Sequence, residues 1–392
     1  MPTNDFTTKL LELEDVILHD VQSSNTELHI YFSLERKAHI CPECHALTDR
    51  VHDYRTSILK DSPIMGKATF LHYKKRRYHC PFCGKHFYES FSLLPKYCRI
   101  TTRLAFYAIH LLRNRYSATS AASLAYISVS SVFRRMNDIR FNKPIQLPKV
   151  LSIDEFRGNA GGQKFQAILT DAGNKKLLDI LPNRSQTDLM LYFQSFSNKK
   201  EVKYFITDMN QVYRDLALQY FPNATIVIDK FHVVRYVTWA LENVRKRIQK
   251  SMHSSKRKYF KRSRRLLLTH LSKLNEEGKQ ALEVMLQQSS DLATAYHLKE
   301  LFYSFMDSKD RAEAAKRLHL FIIATQASKL SEFNACLTML GNWSKYILNA
   351  FECPYTNGYT EGTNNAIKVI KRNAFGYRNF ENFRKRIFLA LT

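Results

Sequence analysis

Val150-Leu151-Ser152-Ile153 and Tyr204-Phe205-Ile206-Thr207 are two short apolar runs, the first ended by Asp154 and followed by Glu155-Phe156, the second ended by Asp208. Around them, strand and helix patterns alternate. Phe165–Thr170 and Lys176–Leu181 predict a hairpin about Asp171-Ala172-Gly173-Asn174. Gln186–Phe196 and Gln211–Tyr220 have helical spacing, and Thr225-Ile226-Val227-Ile228 is a further buried-strand pattern. An α/β unit over residues 149–232 follows from that alternation. A carboxylate at the end of a buried strand is an odd place for a purely structural residue. Two on neighbouring strands can hold divalent cations through oxygen. Two such cations about 3.5–4 Å apart activate a hydroxyl and stabilise the leaving oxygen in phosphodiester transfer.

Glu361 is the best third carboxylate. It lies in Thr356-Asn357-Gly358-Tyr359-Thr360-Glu361-Gly362-Thr363-Asn364-Asn365, a polar helix start. Glu361, Asn364, Asn365 and Lys368 fall on one helix face. A core stripe would be apolar, so this stripe suits metal and phosphate contact, the alternative being a solvated face. Glu155 neighbours Asp154, but adjacent strand residues point to opposite faces. Asp171, Asp179 and Asp215 fit turns or exposed helix better.

Towards the N-terminus, Cys41-Pro42-Glu43-Cys44 and Cys80-Pro81-Phe82-Cys83 are two knuckles of a closed tetrahedral zinc site. Four unrelated thiols, or a redox pair, are the plainer alternative. His45, His52, His79 and His86 read as surface histidines, and Cys98, Cys336 and Cys353 as ordinary thiols. Between the knuckles, Lys74, Lys75, Arg76 and Arg77 are four consecutive cations between Tyr73 and Tyr78, suited to phosphate contact and stacking or to a solvated strand. Thr101–Arg113 predicts an amphipathic helix. A short helix at about 118–125, a turn through Tyr126–Ser128 and a second helix at about 129–139 follow, with Ser128 or Ser130 as cap. This fits a helix-turn-helix with Ser130, Ser131, Arg134 and Arg135 facing a major groove, or a plain helical bundle. Pro144 and Pro148 mark a linker.

Residues 230–350 are almost wholly helical in pattern. They begin with a strongly basic stretch: Arg245, Lys246, Arg247, Lys250, Lys256, Arg257, Lys258, Lys261, Arg262, Arg264 and Arg265, with no acid among them. As one helix it would be cationic on most sides, a poor core and a good DNA-backbone surface. Trp239, just before it, could stack on an unpaired base or fill a core. The 392 residues carry 60 Lys and Arg against 35 Asp and Glu, a formal charge of +25. So basic a globular chain expects a polyanionic partner. A membrane is the weaker choice, because no run approaches about 20 apolar residues. The N-terminus lacks the pattern of a secretory signal. The expectation is a bacterial cytoplasmic, nucleoid-associated protein with reduced thiols.

Taken in order, these blocks resemble the DDE transposases of bacterial insertion sequences, specifically the ISL3 family. The resemblance covers nearly the whole chain. Its most specific blocks are Ile228-Asp229-Lys230-Phe231-His232-Val233, the run from Asn357-Gly358 to Asn365, and Lys371-Arg372-Asn373-Ala374-Phe375-Gly376-Tyr377-Arg378-Asn379-Phe380. It implies a multidomain α+β protein: zinc ribbon, helix-turn-helix, and an RNase H-like α/β catalytic domain with a large all-helical insertion. The expected division is 1–91 ribbon, 92–148 helix-turn-helix and linker, 149–232 first part of the core, 233–350 insertion, and 351–392 last part of the core. The resemblance puts Asp154, Asp208 and Glu361 in the places of three ligands for Mg²⁺ or Mn²⁺, with Zn²⁺ structural in the ribbon. Asp229 and His232 match a D-x-x-H signature and are expected beside the metals but not as their ligands, with Asn364 and Asn365, or as a satisfied buried pair. Lys368 and Arg372 join the expected DNA contacts. The implied activity is cleavage at terminal inverted repeats and joining to target DNA, by a dimer or larger assembly on double-stranded DNA. The alternatives are a non-catalytic DNA-binding regulator and a nuclease without strand joining.

Overall fold

The computed structural model describes residues 16–95, 97–253, 257–258, 260 and 264–392. They form two compact units. One combines the chain up to Phe141 with Val369–Thr392, and the other is Asn142–Lys368. Residues 369–392, which the sequence division kept with the catalytic part, therefore belong to the front unit. No helix among the described residues is long and apolar enough to cross a membrane.

The front unit starts with strands β1 (Val16–Ser23), β2 (Glu27–Leu34), β3 (His39–Ile40), β4 (Leu47–Thr48), β5 (Val51–Ile64), β6 (Lys67–His79) and β7 (His86–Tyr88). The main sheet runs β1-β2-β6-β5, with β7 added on β6. The β5–β6 hairpin turns on Met65 and Gly66, both with positive φ (50° and 74°). Such a turn matches the strand twist. Ile30, Phe32, Leu59, Leu71, Tyr73 and Phe91 fill the core beneath.

Three helices follow: α1 (Thr102–Arg113), α2 (Ala118–Leu124) and α3 (Val129–Asp138). Thr101, Ser117 and Ser128 cap them, accepting from the amides of Leu104 (3.2 Å), Ser120 (3.0 Å) and Ser131 (3.1 Å). Each cap is worth about 1 kcal/mol. Ala121 and Ala122 let α2 approach Leu104, Val132 and Met136 closely. The last helix, Phe380–Leu391, closes this unit. Its buried Arg386 donates to the carbonyls of Leu112 and Tyr116 at the end of α1.

The second unit is built on β8 (Val150–Phe156), β9 (Gln166–Asp171), β10 (Lys176–Leu181), β11 (Tyr204–Thr207) and β12 (Thr225–Ile228), in the order β10-β9-β8-β11-β12. β9 is antiparallel to β8 and β10, while β11 and β12 run parallel to β8. Leu151, Ile153, Leu169 and Phe205 face helices α4 (Gln186–Gln194) and α5 (Gln211–Tyr220) through Leu189, Phe193 and Leu216. Strand alternation sends Val150, Ser152 and Asp154 to the other face. After β12 the chain is helical: α6 (Lys230–Lys250), α7 (Arg264–Leu268), α8 (Glu276–Leu286), α9 (Ser290–Met306), α10 (Arg311–Ser328) and α11 (Asn334–Leu348). These share a core of their own, including Val237, Leu241, Phe302, Phe321 and Leu340. Helix α12 (Gly358–Asn373) then returns to the sheet.

Candidate metal centres

Register places three aspartates at one level. Ile206 pairs with Ser152, and Thr207 pairs with Ile228. Continuing each pairing by one or two residues sets Asp208 beside Asp154 on one side and Asp229 on the other. Asp208 and Asp229 follow the last residues of their strands, at the carboxyl ends where α/β sheets bind ligands. Asp154 is not at a strand end, because β8 continues to Phe156 and pairs with β9 through Asp154↔Ile168. Only its partner on the β11 side has stopped, which opens the strand towards Asp208.

Glu361 reaches this level from α12, and buried hydroxyls and two amides fix that helix. Ser152 donates to Asn357 Oδ1 (2.6 Å), Thr360 donates to Ser152 Oγ (3.1 Å), and Thr170 and Thr360 share a 2.8 Å bond. Asn364 Nδ2 donates to Asp154 Oδ2 (2.8 Å). Ser152, Thr170, Thr360, Asn357 and Asn364 are all buried. The first turns of α12 are thus pinned to β8 and β9 by polar groups that water cannot reach. Thr360→Val should cost about 1–3 kcal/mol, the penalty for stranding buried partners, read as a lower urea midpoint with unchanged slope.

The ligand atoms of Asp229, His232 and Glu361 lie within 4.8 Å of one another. Asp154, Asp208 and Glu361 do not form so tight a set. A pair of cations does not require one: two ligand bonds of about 2.1 Å and a metal spacing near 4 Å span roughly 8 Å. Asp208 Oδ1, Asp229 Oδ2 and Asn364 Oδ1 are buried acceptors with no hydrogen-bond partner. Buried oxygens left this way are costly unless a cation takes them. Burial pushes the Asp154 carboxyl up to about 6, and the charge of Asp208 adds to the rise. Burial also lifts Asp208 to about 6, helped by Glu155 and Asp229 and opposed by Arg184. Glu361 is raised by burial and then by Asp229, with His232 and Lys368 opposing. Crowded carboxylates with unspent lone pairs and one nearby imidazole suit a hard divalent cation.

Sequence reasoning missed the flank of this site. Glu155 points away from Asp154's side of the sheet, yet it pairs with Arg184 and its charge reaches Asp208. The Arg184 guanidinium lies 4.5 Å from the Phe165 ring centre. Nothing in the loop sequence signalled Arg184. The α12 pins did leave a signal, since Asn357, Thr360 and Asn364 recur at helical spacing.

In the front unit, the sulfurs of Cys41, Cys44, Cys80 and Cys83 also lie within 4.8 Å of one another. Cys41 and Cys83 are 3.6 Å apart, and Cys44 and Cys80 3.5 Å. A zinc ion bonded at about 2.3 Å to four thiolates needs edges near 3.8 Å, so the spacing fits. The knuckles are built alike. The His45 amide donates to Cys41 O (3.0 Å) and Gly84 to Cys80 O (2.9 Å). His45 and Gly84 both take positive φ (58° and 73°).

The profile of a family described as "Transposase", DDE_Tnp_ISL3, matches residues 151–387. The chain belongs to this transposase family. A second profile, "zinc-finger of transposase IS204/IS1001/IS1096/IS1165", matches residues 37–83. The chain is 27% identical over 373 residues to a Bordetella parapertussis protein, "Transposase for insertion sequence element IS1001", covering 93% of this chain and 91% of that one. A stretch of 134 residues is 30% identical to a Lactococcus lactis protein described as "ATP-dependent protease", covering 33% of this chain and 38% of the other. The sequence holds no G-x-x-x-x-G-K-[ST] phosphate loop.

The structure divides the expected DNA contacts. Arg76 is buried where β7 covers the strand end, donating to Leu34 O (2.9 Å) and Glu89 (3.2 Å), so it is structural. Arg77 pairs with Asp53 at 2.8 Å, while Lys74 and Lys75 lie over Tyr54 and Tyr88. The basic stretch does not form one cationic helix, because α6 stops at Lys250. Arg245 is buried against Glu242 (2.8 Å), which also takes Arg264 (2.8 Å). Arg247 is held by Asp291 and Glu332. Of these, only Arg245 is taken from the surface; Arg247 and Arg264 are paired but stay exposed. Lys246, Arg257, Lys258 and Arg265 are exposed; Lys256, Lys261 and Arg262 lie outside the described residues. On α3, Ser128 is the cap, Ser130 and Arg134 are exposed, Ser131 bonds Ser128, and Arg135 pairs with Asp138. Asn365 and Lys368 are exposed and bond each other (3.2 Å), and Arg372 is exposed.

Proposed function

We propose that the chain binds the terminal inverted repeats of an insertion sequence, cuts there, and joins the freed 3′ ends to target DNA. The reading rests chiefly on one observation: Asp154 and Asp208 stand level on neighbouring strands, with α12 pinned beside them to present Glu361. These three would hold two Mg²⁺ or Mn²⁺ ions in an RNase H-like core. When bound, the cations supply charge to the scissile phosphate and favour ionisation of the attacking hydroxyl. Asn364 orients Asp154 through its amide. Asp229 and His232 stand against Glu361, whose carboxyl burial raises, Asp229 adding to the rise and His232 opposing it. No covalent enzyme nucleophile is required.

The ribbon (1–91) and helix-turn-helix with linker (92–148) work with 369–392, and the catalytic part comprises 149–232 and 351–368 with the helical insertion 233–350 between them. A structural Zn²⁺ on the four cysteines shapes the ribbon. The helix pair α2–α3 acts as a helix-turn-helix, with Ser130 and Arg134 towards the major groove and Lys74 and Lys75 on phosphates. Trp239 is 52% exposed, with Arg235 4.6 Å from its ring centre. That arrangement leaves an aromatic face for a base instead of a core contact. Two element ends must be processed together, so at least a dimer on DNA is expected.

The test is a plasmid carrying the flanking repeats, incubated with the protein and Mg²⁺ or Mn²⁺. Nicks or breaks at the repeat ends, followed by joined products, are expected. Binding without cleavage would reduce the protein to a regulator, and cleavage without joining to a nuclease.

The raised carboxyls predict a pH dependence. Between about 4 and 6 the folded, metal-free protein keeps protons that the unfolded chain has lost. These groups therefore favour the fold at low pH, and that contribution is lost as pH rises through 6. Cation binding must displace the same protons. The Mg²⁺-induced rise in melting temperature should be full near pH 7.5 and gone by about pH 5. A pH-independent rise would mean the cation binds elsewhere.

A further inference from the structure

Phe375 is 99% exposed, in the turn between α12 and the last helix. The turn itself is tightly built. The Phe375 amide donates to Arg372 O (3.1 Å) and the Gly376 amide to Lys371 O (2.9 Å). That pair of bonds is the Schellman end of a helix, whose left-handed position favours glycine. Here the glycine comes one residue later, and Phe375 itself takes φ 55°. On the far side, Tyr377 stacks on Phe383 with centres 4.6 Å apart, and Asn379 caps the last helix (2.9 Å). Asn373 Nδ2 donates to Arg115 O (3.2 Å), tying the turn to the segment before α2. A bulky apolar ring is thus held in a disfavoured backbone conformation, on a rigid support, with nothing covering it. The turn and not packing holds the ring, which leaves its whole surface free to meet a ligand.

The surroundings point to the ligand. A cavity of about 510 Å³ lies between the turn and the starts of α2 and α3, bordered by Ser117, Val129, Phe133 and Arg378. A second, of about 610 Å³, is lined by Arg115, Tyr116, Arg372 and Phe375 itself. Arg115, Arg372 and Arg378 are exposed, and none of the residues lining either cavity is acidic. Cations around an unshielded aromatic ring match a phosphate backbone with bases behind it. A protein partner with an apolar pocket would not call for three arginines.

We propose that Phe375 is a wedge that enters the DNA base stack beside the footprint of α3, with Arg115, Arg372 and Arg378 holding the flanking phosphates. The proposal rests on the reading that this chain binds repeat DNA. The ring would lie against a base opened by unstacking, and the rigid turn would hold it there without further ordering.

The experiment uses the full chain and repeat DNA carrying 2-aminopurine at successive positions. The wild type should raise its fluorescence several-fold at one or two adjacent positions. Phe375→Gly should melt at the same or a higher temperature, because glycine suits the left-handed position. It should bind the repeat about ten-fold more weakly, the loss of one base–aromatic stack, and abolish the fluorescence rise. Phe375→Trp should keep the rise. A wild type that binds no DNA overturns the functional reading and this site together. A wild type that binds without any rise, or a Phe375→Gly protein that keeps it, overturns this site alone.

Discussion

Asp154→Asn and Asp208→Asn should each lower divalent-dependent cleavage of repeat DNA by about 10³-fold or more, with repeat binding unchanged within about twofold. The first figure corresponds to losing about 4 kcal/mol of transition-state stabilisation, in the range that a metal centre supplies. Binding should survive because neither residue belongs to the unit that carries the ribbon and α1–α3. Stability should move the other way. Both carboxyls are pushed up to about 6 by burial, so at neutral pH the metal-free fold carries an ionisation penalty. An amide of the same shape removes that penalty, and each variant should be more stable by about 1–3 kcal/mol without metal. Loss of activity with a raised melting temperature cannot come from misfolding. An inactive but destabilised variant would leave the metal role unproven, and a variant that still cuts would refute it.

Cys41→Ser should release the zinc and unfold the ribbon. Structural zinc contributes about 10–16 kcal/mol of apparent binding free energy, far more than the small core around it can replace. The four cysteines join two knuckles distant in sequence, one before β5 and one after β6. Losing one ligand therefore frees both ends of the long hairpin. Metal analysis should give one zinc per wild-type chain and much less in the variant. Amide exchange should rise over 37–91 while β8–β12 stay protected. Stoichiometric zinc in the variant, or none in the wild type, would overturn the assignment.

Several features were legible because they depend on local chemistry alone. Paired Cys-Pro-x-Cys knuckles need only a tight turn and two thiols each. Ser128 sits where a polar cap must precede apolar helical spacing. The runs before Asp154 and Asp208 are too apolar and too short for anything but inner strands, and the long helical stretch after β12 shows in its periodicity. Family resemblance came from the same local blocks, and the profile matches follow them.

Other features depended on partners distant along the chain. Arg76 and Arg245 look like surface cations in sequence, because nothing nearby says that Glu89 or Glu242 will be buried against them. The same holds for Glu155 and Arg184. The meeting of Glu361 with the sheet required hydroxyls on β8, β9 and α12 to find one another across some 200 residues of chain. The return of 369–392 to the front unit rests on Arg386 capping the end of α1. By itself the amino-acid order determined which segments are strand, helix and knuckle, since those follow from short-range periodicity and turn chemistry. Only tertiary structure decided which charges are spent inside and which acids converge, because burial and electrostatic pairing are properties of neighbours in space.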